Sequence, residues 1–246
     1  MNYNYKEGKQ RIIDILHSKT KIEQVENIPE SGAAFTYSNG IKSWVGAMFI
    51  DMRDSTSYFK ENKSDIVARV MRAFCSEIIR LLQSNPRYRQ IGIRGDCIYA
   101  IYSAPQKHHL ESILSDAIFI NTFQKMFQQI LEDNNFPTFE IGIGLGTAED
   151  LIIRAGKKGT GISDYIWIGD SVIDASKLSN QGNCDGFDTI VMNSCFYENI
   201  KDFEPNDKHK YSYYFAEKYS EKLEEYVYHG EMINIHFNNW IDGGMR

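Results

Sequence analysis

The sequence predicts an α/β domain whose core runs strand, helix, hairpin, helix, strand (βαββαβ), with additional C-terminal strands. Three observations carry this. Short β-type apolar runs alternate with two long stretches in which apolar residues recur at helical spacing. A Gly95-Asp96 pair interrupts the apolar run from Ile91 to Tyr102, the pattern of a hairpin with a tight turn. Phe139 to Ala148 alternates apolar residues with Gly142, Gly144 and Gly146, which marks a strand that another element approaches closely. Together they give a ferredoxin-like arrangement.

In chain order, residues 1–40 open with a charged helical segment in which Ile12, Ile13, Ile15 and Leu16 form a short apolar face. A polar stretch with Pro29, Ser31, Gly32, Asn39 and Gly40 reads as a linker, so the domain proper is placed at 41–246. Trp44 to Ile50 is the first core strand, ending in Asp51, and Asp54-Ser55-Thr56 are residues that open helices. Ile66, Val70, Phe74, Ile78 and Leu82 predict a helix that stops near Ser84-Asn85-Pro86. After the hairpin at 90–102, Leu110 through Leu131 gives a second long helix, closed by Asn134, Asn135 and Pro137. Lys157 and Lys158 sit in a glycine-bounded loop at 156–161, and Tyr165 to Ile168 is a short strand leading to a helix with Ala175 and Leu178. Thr189 to Met192 and, more weakly, Tyr226 to Ile235 have strand character.

At 246 residues, 42% hydrophobic, the chain is long enough for one sizeable core. A net charge of −6 argues against a non-specific nucleic-acid binder, which needs a basic face. No apolar run reaches the length of a membrane span, and Met1 to Gln10 is polar, so neither a membrane anchor nor a secretory leader is expected. Cys75, Cys97, Cys184 and Cys195 have no metal-type spacing and read as reduced thiols of a cytoplasmic protein.

The chemistry concentrates in two segments, Phe49-Ile50-Asp51-Met52-Arg53-Asp54-Ser55-Thr56 and Arg94-Gly95-Asp96-Cys97-Ile98-Tyr99-Ala100. An aspartate at a turn or helix start is usually a turn or cap residue. Two of them on neighbouring strand ends, beside the free N–H groups of a helix start, suit divalent cations and a polyphosphate. Arg53 and Lys158 are further cations nearby, with an ordinary solvated role the better expectation for each.

These segments, with Ile168-Gly169-Asp170-Ser171-Val172, resemble the catalytic domain of class III nucleotidyl cyclases over about residues 43–195. The resemblance implies that Asp51 and Asp96 bind two Mg²⁺ or Mn²⁺ ions per site, with the Met52 carbonyl as an extra ligand. It implies that Ser55 and Thr56 belong to the phosphate loop. It also implies a head-to-tail homodimer with its sites at the interface. The family's asparagine and arginine, which serve the partner's site, fall at Ile173 and Lys177; Lys177 keeps the charge without the bidentate fork. Asp174 adjoins Ile173. The positions that read a purine in the family fall at Gly92 and Ile166, neither of which offers a side-chain hydrogen bond. Arg94 shares a strand face with Gly92 and reads equally as a base contact or as an exposed hairpin arginine.

That combination resembles the pyrimidine cyclases of the bacterial Pycsar antiphage systems. The expected reaction is UTP to 3′,5′-cyclic UMP and pyrophosphate, a second messenger for a separate cyclic-nucleotide-activated effector. A cytidylate cyclase is the first alternative, then a purine cyclase. An inactive, cyclase-like nucleotide sensor is the alternative of another class.

Overall fold

A fourteen-residue strand, β2, forms the spine of one mixed sheet in the computed structural model, which describes residues 3–30, 34–157, 163–205 and 209–246. The first elements are α1 (Tyr5–Leu16), β1 (Lys21–Gln24), β2 (Asn39–Met52), α2 (Ser55–Glu61), α3 (Ser64–Gln83), β3 (Tyr88–Arg94) and β4 (Cys97–Ser103). Next come α4 (Lys107–Asp133), β5 (Ile141–Gly156), β6 (Ser163–Ile168), α5 (Asp170–Ser179), β7 (Ile190–Met192) and α6 (Ser194–Ile200). The chain closes with β8 (Ala216–Ser220), β9 (Glu225–Gly230) and α7 (Ile235–Asp242).

The strands lie in the order β3-β4-β2-β5-β7-β9-β8, with β1 added to β2 and β6 to β5. The first four of these are mutually antiparallel, and together with α3 and α4 they make the expected βαββαβ core. β7 then extends the sheet parallel to β5, and the β8–β9 hairpin completes it.

The period of two along β2 sorts its side chains between two cores. Met48, Ile50 and Met52 face the layer of α3 and α4 and pack with Phe74, Ile78, Leu82, Leu114 and Phe127, all buried. A fully buried Phe such as Phe74 contributes roughly 1.5–3 kcal/mol by removal from water. Val45 and Ala47 face the opposite side, with Ile101, Ile152 and Ala175 of α5; Phe49 borders that core. By the same alternation Asp51 follows Phe49 on the α5 side.

Three glycines at the start of β5, Gly142, Gly144 and Gly146, explain how α5 gets so close. A side-chain carbon at Gly144 would collide with the Ala175 carbonyl, and one at Gly142 or Gly146 with the Ser179 or Ser171 carbonyl. The helix backbone therefore rests directly on the strand.

The stretch read as a linker does more than link. β1 pairs in parallel with the start of β2, and Ile28 and Phe35 are buried in the second core. The Ile28 N–H donates to Ser103 Oγ at 2.9 Å. The apolar residues of this stretch, Val25, Ile28, Ala34 and Phe35, follow neither helix nor strand period, so the sequence pattern does not reveal them. α1 is capped by Asn4, which accepts from the Lys6 and Glu7 N–H groups, and it leaves Ile12, Ile15 and Leu16 exposed. The C-terminal α7 docks on α4, where Lys125 reaches Asp242 at 2.8 Å. Among the described residues no helix is long and apolar enough to cross a membrane.

Candidate active site

β2 outruns its partner β4: Ile50 pairs with Ile98, while Asp51 and Met52 are paired only to Gly142 and Ile141 of β5. Asp51 thus lies level with Cys97, one residue from Asp96. The turn that carries Asp96 has two residues, Gly95 and Asp96, and Gly95 takes φ +66°, a conformation that glycine adopts without strain. The proximity of the two carboxylates shows in their electrostatics. Burial raises the pKa of Asp51, Arg53 beside it lowers it, and the Asp96 charge raises it again. Burial together with both carboxylates pushes the Cys97 thiol up to about 12, so Cys97 is neutral and inert here.

Two half-buried carboxylates that repel one another are a donor set for a hard cation, and they fit Mg²⁺ or Mn²⁺. The Met52 side chain is buried in the core, so only its backbone is available to a ligand. No cluster of three or more His, Cys, Asp or Glu that could hold a metal occurs among the described residues. A cation here would rest on two carboxylates and complete its shell from backbone, water or substrate.

Arg53 departs from the surface role expected for it. Its side chain is only 12% exposed and forms an ion pair with Asp51. Its other donors reach the end of α5: Nη2 to the Ser179 carbonyl at 2.9 Å and Nη1 to the Asn180 carbonyl at 2.9 Å. The last carbonyls of a helix lack intrahelical partners and carry its negative dipole end, so a guanidinium suits them. Lys222, from the turn between β8 and β9, also donates to the Asn180 carbonyl at 3.0 Å and acts electrostatically on Asp51. Lys158, the other expected cation, lies outside the described residues.

The helix start after Asp51 forms as α2, but Asp54 does not cap it through its side chain. Asp54 occupies the N-cap in the left-handed region, φ +50°, with no side-chain capping bond. Its exposed carboxylate accepts from neither of the first N–H groups of α2, at Ser55 and Thr56.

A pocket of about 340 Å³ opens between the β3–β4 hairpin and β6. Its lining includes Phe49, Arg94, Tyr99, Ile166 and Trp167, so the sequence-predicted Arg94 and Ile166 do converge on one cavity. Gly92 plays a different part from the one expected. It pairs with Tyr99, and a Cβ at 92 would lie 2.5 Å from the Tyr99 hydroxyl oxygen. The room released at Gly92 is taken by the Tyr99 ring, which stacks on Phe49 at 5.3 Å between centroids. Gln90 links the walls: Trp167 Nε1 donates to Gln90 Oε1 at 2.6 Å, and Gln90 Nε2 donates to the Tyr99 hydroxyl at 3.2 Å and to Asp164 at 3.3 Å.

On the outer face of α5, Ile173 and Lys177 are both exposed, one turn apart. Asp174 turns inward and accepts from Asn193 Nδ2 at 2.8 Å, so it does not replace Ile173 on that face. The helix start is held from below: Asp150 of β5, fully buried, accepts from the Ser171 hydroxyl.

Sequence reasoning missed Tyr99, Gln90, Trp167, Asp164 and Lys222. A signal existed for the first. A two-residue turn at 95–96 dictates that position 92 faces 99, and a glycine opposite an aromatic is a recurrent way of seating the ring. Lys222 comes from a remote hairpin and has no such signal.

The fold is that of class III nucleotidyl cyclase catalytic domains. Among solved structures, the adenylyl cyclase CyaB from P. aeruginosa superposes with a TM-score of 0.65 at 18% identity, covering 78% of this chain and 95% of that one. A uridylate cyclase from Treponema porcinum is 38% identical over 246 residues, 100% of this chain and 83% of that relative. A second uridylate cyclase, from Gulbenkiania mobilis, is 28% identical over 98% of this chain and 96% of its own. No protein-family model matches the chain. The chain belongs to the uridylate cyclase family.

Proposed function

We propose that this protein converts UTP to 3′,5′-cyclic UMP and pyrophosphate, as a head-to-tail homodimer that signals to a separate effector in antiphage defence. The observation that carries the reading is the electrostatically coupled Asp51–Asp96 pair, together with a pocket lined by Arg94, Tyr99 and Ile166 in which Ile166 offers no side-chain hydrogen bond to a purine. The similarity to two relatives named uridylate cyclase supports the choice of base.

In the reaction the 3′-hydroxyl gives up its proton to water, its oxygen attacks the α-phosphorus, the bond from that phosphorus to the bridging oxygen breaks, and pyrophosphate leaves. Two Mg²⁺ or Mn²⁺ ions, held by Asp51, Asp96 and the Met52 carbonyl, would supply Lewis acidity at both oxygens. The chain's own groups do the rest. The N–H groups at Ser55 and Thr56 bind the β- and γ-phosphates. Arg94 contacts the base from the pocket rim. Lys177 reaches the partner's substrate from the outer face of α5 and offsets charge on the phosphates.

Turnover of the four nucleoside triphosphates with Mg²⁺ or Mn²⁺ tests this. UTP is expected to be cyclised and CTP to be the nearest competitor. ATP turning over as fast as UTP would overturn the pyrimidine reading, and no product from any triphosphate would favour the inactive sensor.

A further inference from the structure

The chain Trp167–Gln90–Tyr99 sets a direction of hydrogen bonding at the pocket wall. An indole N–H can only donate, so the Gln90 atom that meets Trp167 at 2.6 Å is the amide oxygen. This fixes the other end of the amide. Both hydrogens of Gln90 Nε2 are then committed, one to the Tyr99 hydroxyl oxygen and one to Asp164 Oδ1. Tyr99 accepts from Gln90 and keeps its own O–H proton to give away. The ring cannot swing clear, because Gly92 beneath it and Phe49 against it hold it in place.

We infer that Trp167 and Gln90 are positioning residues that make Tyr99 a hydrogen-bond donor to the base, and that this selects uracil over cytosine. The inference rests on the UTP-cyclase reading and deepens it. The two pyrimidines share O2 but differ at position 4, where uracil has a carbonyl oxygen and cytosine an amino group. A wall donor is satisfied by the first and faces another donor in the second. Burial and the neighbouring Asp164 raise the Tyr99 pKa, so the hydroxyl keeps its proton at neutral pH. Were the amide free to turn over, Tyr99 could donate to Gln90 Oε1 instead and present a lone pair to cytosine. Trp167 prevents that.

The test reverses the relay. Gln90→Glu places a carboxylate that accepts from both Trp167 and the Tyr99 O–H, which turns Tyr99 into an acceptor. It is made together with Asp164→Asn, so that two carboxylates do not meet. The ratio of kcat/KM for UTP over CTP is expected to exceed one in the unmodified protein and to fall by ~10- to 100-fold in the double variant, the effect of one mispaired polar group. Trp167→Phe, which only releases the amide, should lower the ratio through the CTP side while UTP turnover stays within about tenfold, as expected when one hydrogen bond is freed. Binding of 3′-deoxy-UTP and 3′-deoxy-CTP, which cannot cyclise, should show the same change in ratio by calorimetry and does not depend on turnover. An unchanged ratio in folded variants, or an unmodified enzyme that uses both pyrimidines alike, overturns the relay. Failure of the underlying reading looks different: the unmodified protein then cyclises no pyrimidine at all.

Discussion

Replacing Arg53 by Ala should destabilise the metal-free protein more than any surface substitution, although the residue looks like a surface arginine in the sequence. The guanidinium is 12% exposed and its ion-pair partner Asp51 is 16% exposed. Removal leaves a largely buried carboxylate without its counter-ion and withdraws donors from two carbonyls at the end of α5. Breaking a buried pair from one side costs about 3–5 kcal/mol, because the remaining charge stays desolvated. For a chain of this size each kcal/mol lowers Tm by roughly 2–4 °C, so a fall of about 6–20 °C is expected in thermal unfolding with chelator present. Arg53→Lys keeps the charge but cannot serve three acceptors from a planar fork, and should fall between. Two further readouts isolate the mechanism. Added Mg²⁺ should recover part of the loss, since a cation at Asp51 replaces the missing charge. Lowering the pH should narrow the gap as well, because the unpaired Asp51 then takes a proton. A Tm within ~2 °C of the unmodified protein would refute the buried-pair argument, being less than one kcal/mol.

Three other outcomes are expected. Asp51→Ala and Asp96→Ala should each abolish cyclisation, since a two-cation clamp contributes several kcal/mol of transition-state stabilisation; near-normal turnover in either would remove the metal assignment. Mixing inactive Asp51→Ala chains with inactive Lys177→Ala chains should restore part of the activity through heterodimers that hold one complete site. No recovery despite proven subunit exchange would place the site within one chain. Burial raises the pKa of Asp150 to about 6, above the usual 3.8. A carboxyl raised on folding stabilises the fold while protonated, below about pH 4, and that contribution is lost as pH rises through about 6. Asp150→Asn should therefore gain on the unmodified protein between pH 4 and 6.5 in denaturant titrations, by up to ~3 kcal/mol; a gap independent of pH would contradict it.

The core was legible because its signals are periodic and local. Ile66 to Leu82 repeats at helical spacing and becomes α3, the Gly95-Asp96 pair predicts a two-residue turn and makes one, and the glycines of β5 announce the close approach that α5 supplies. What lay outside that grammar was missed. β1 is four exposed residues whose only claim to be a strand is its pairing with β2. β8 likewise rests on its pairing with β9, and Ile28 and Phe35 enter the core, with Val25 and Ala34 packed beside them, from a stretch without helix or strand period.

The site divides along the same line, and the division has a physical cause. The placement of Asp51 and Asp96 was readable because each sits at a strand end with a turn or helix signal beside it. Arg53 was misread because exposure is a tertiary property: the same side chain would be solvated if α5 ended one turn earlier. What buries it is the Gly142–Gly146 stripe, which draws the α5 backbone down until Ser179 and Asn180 come within reach of the guanidinium that follows β2. One sequence feature thus has two consequences. It packs the helix that carries Ile173 and Lys177, and it ties the end of that helix to the carboxylate that would hold the cation. A bulky residue at Gly144, whose strand partner is the pocket-lining Phe49, would collide with the Ala175 carbonyl and displace α5.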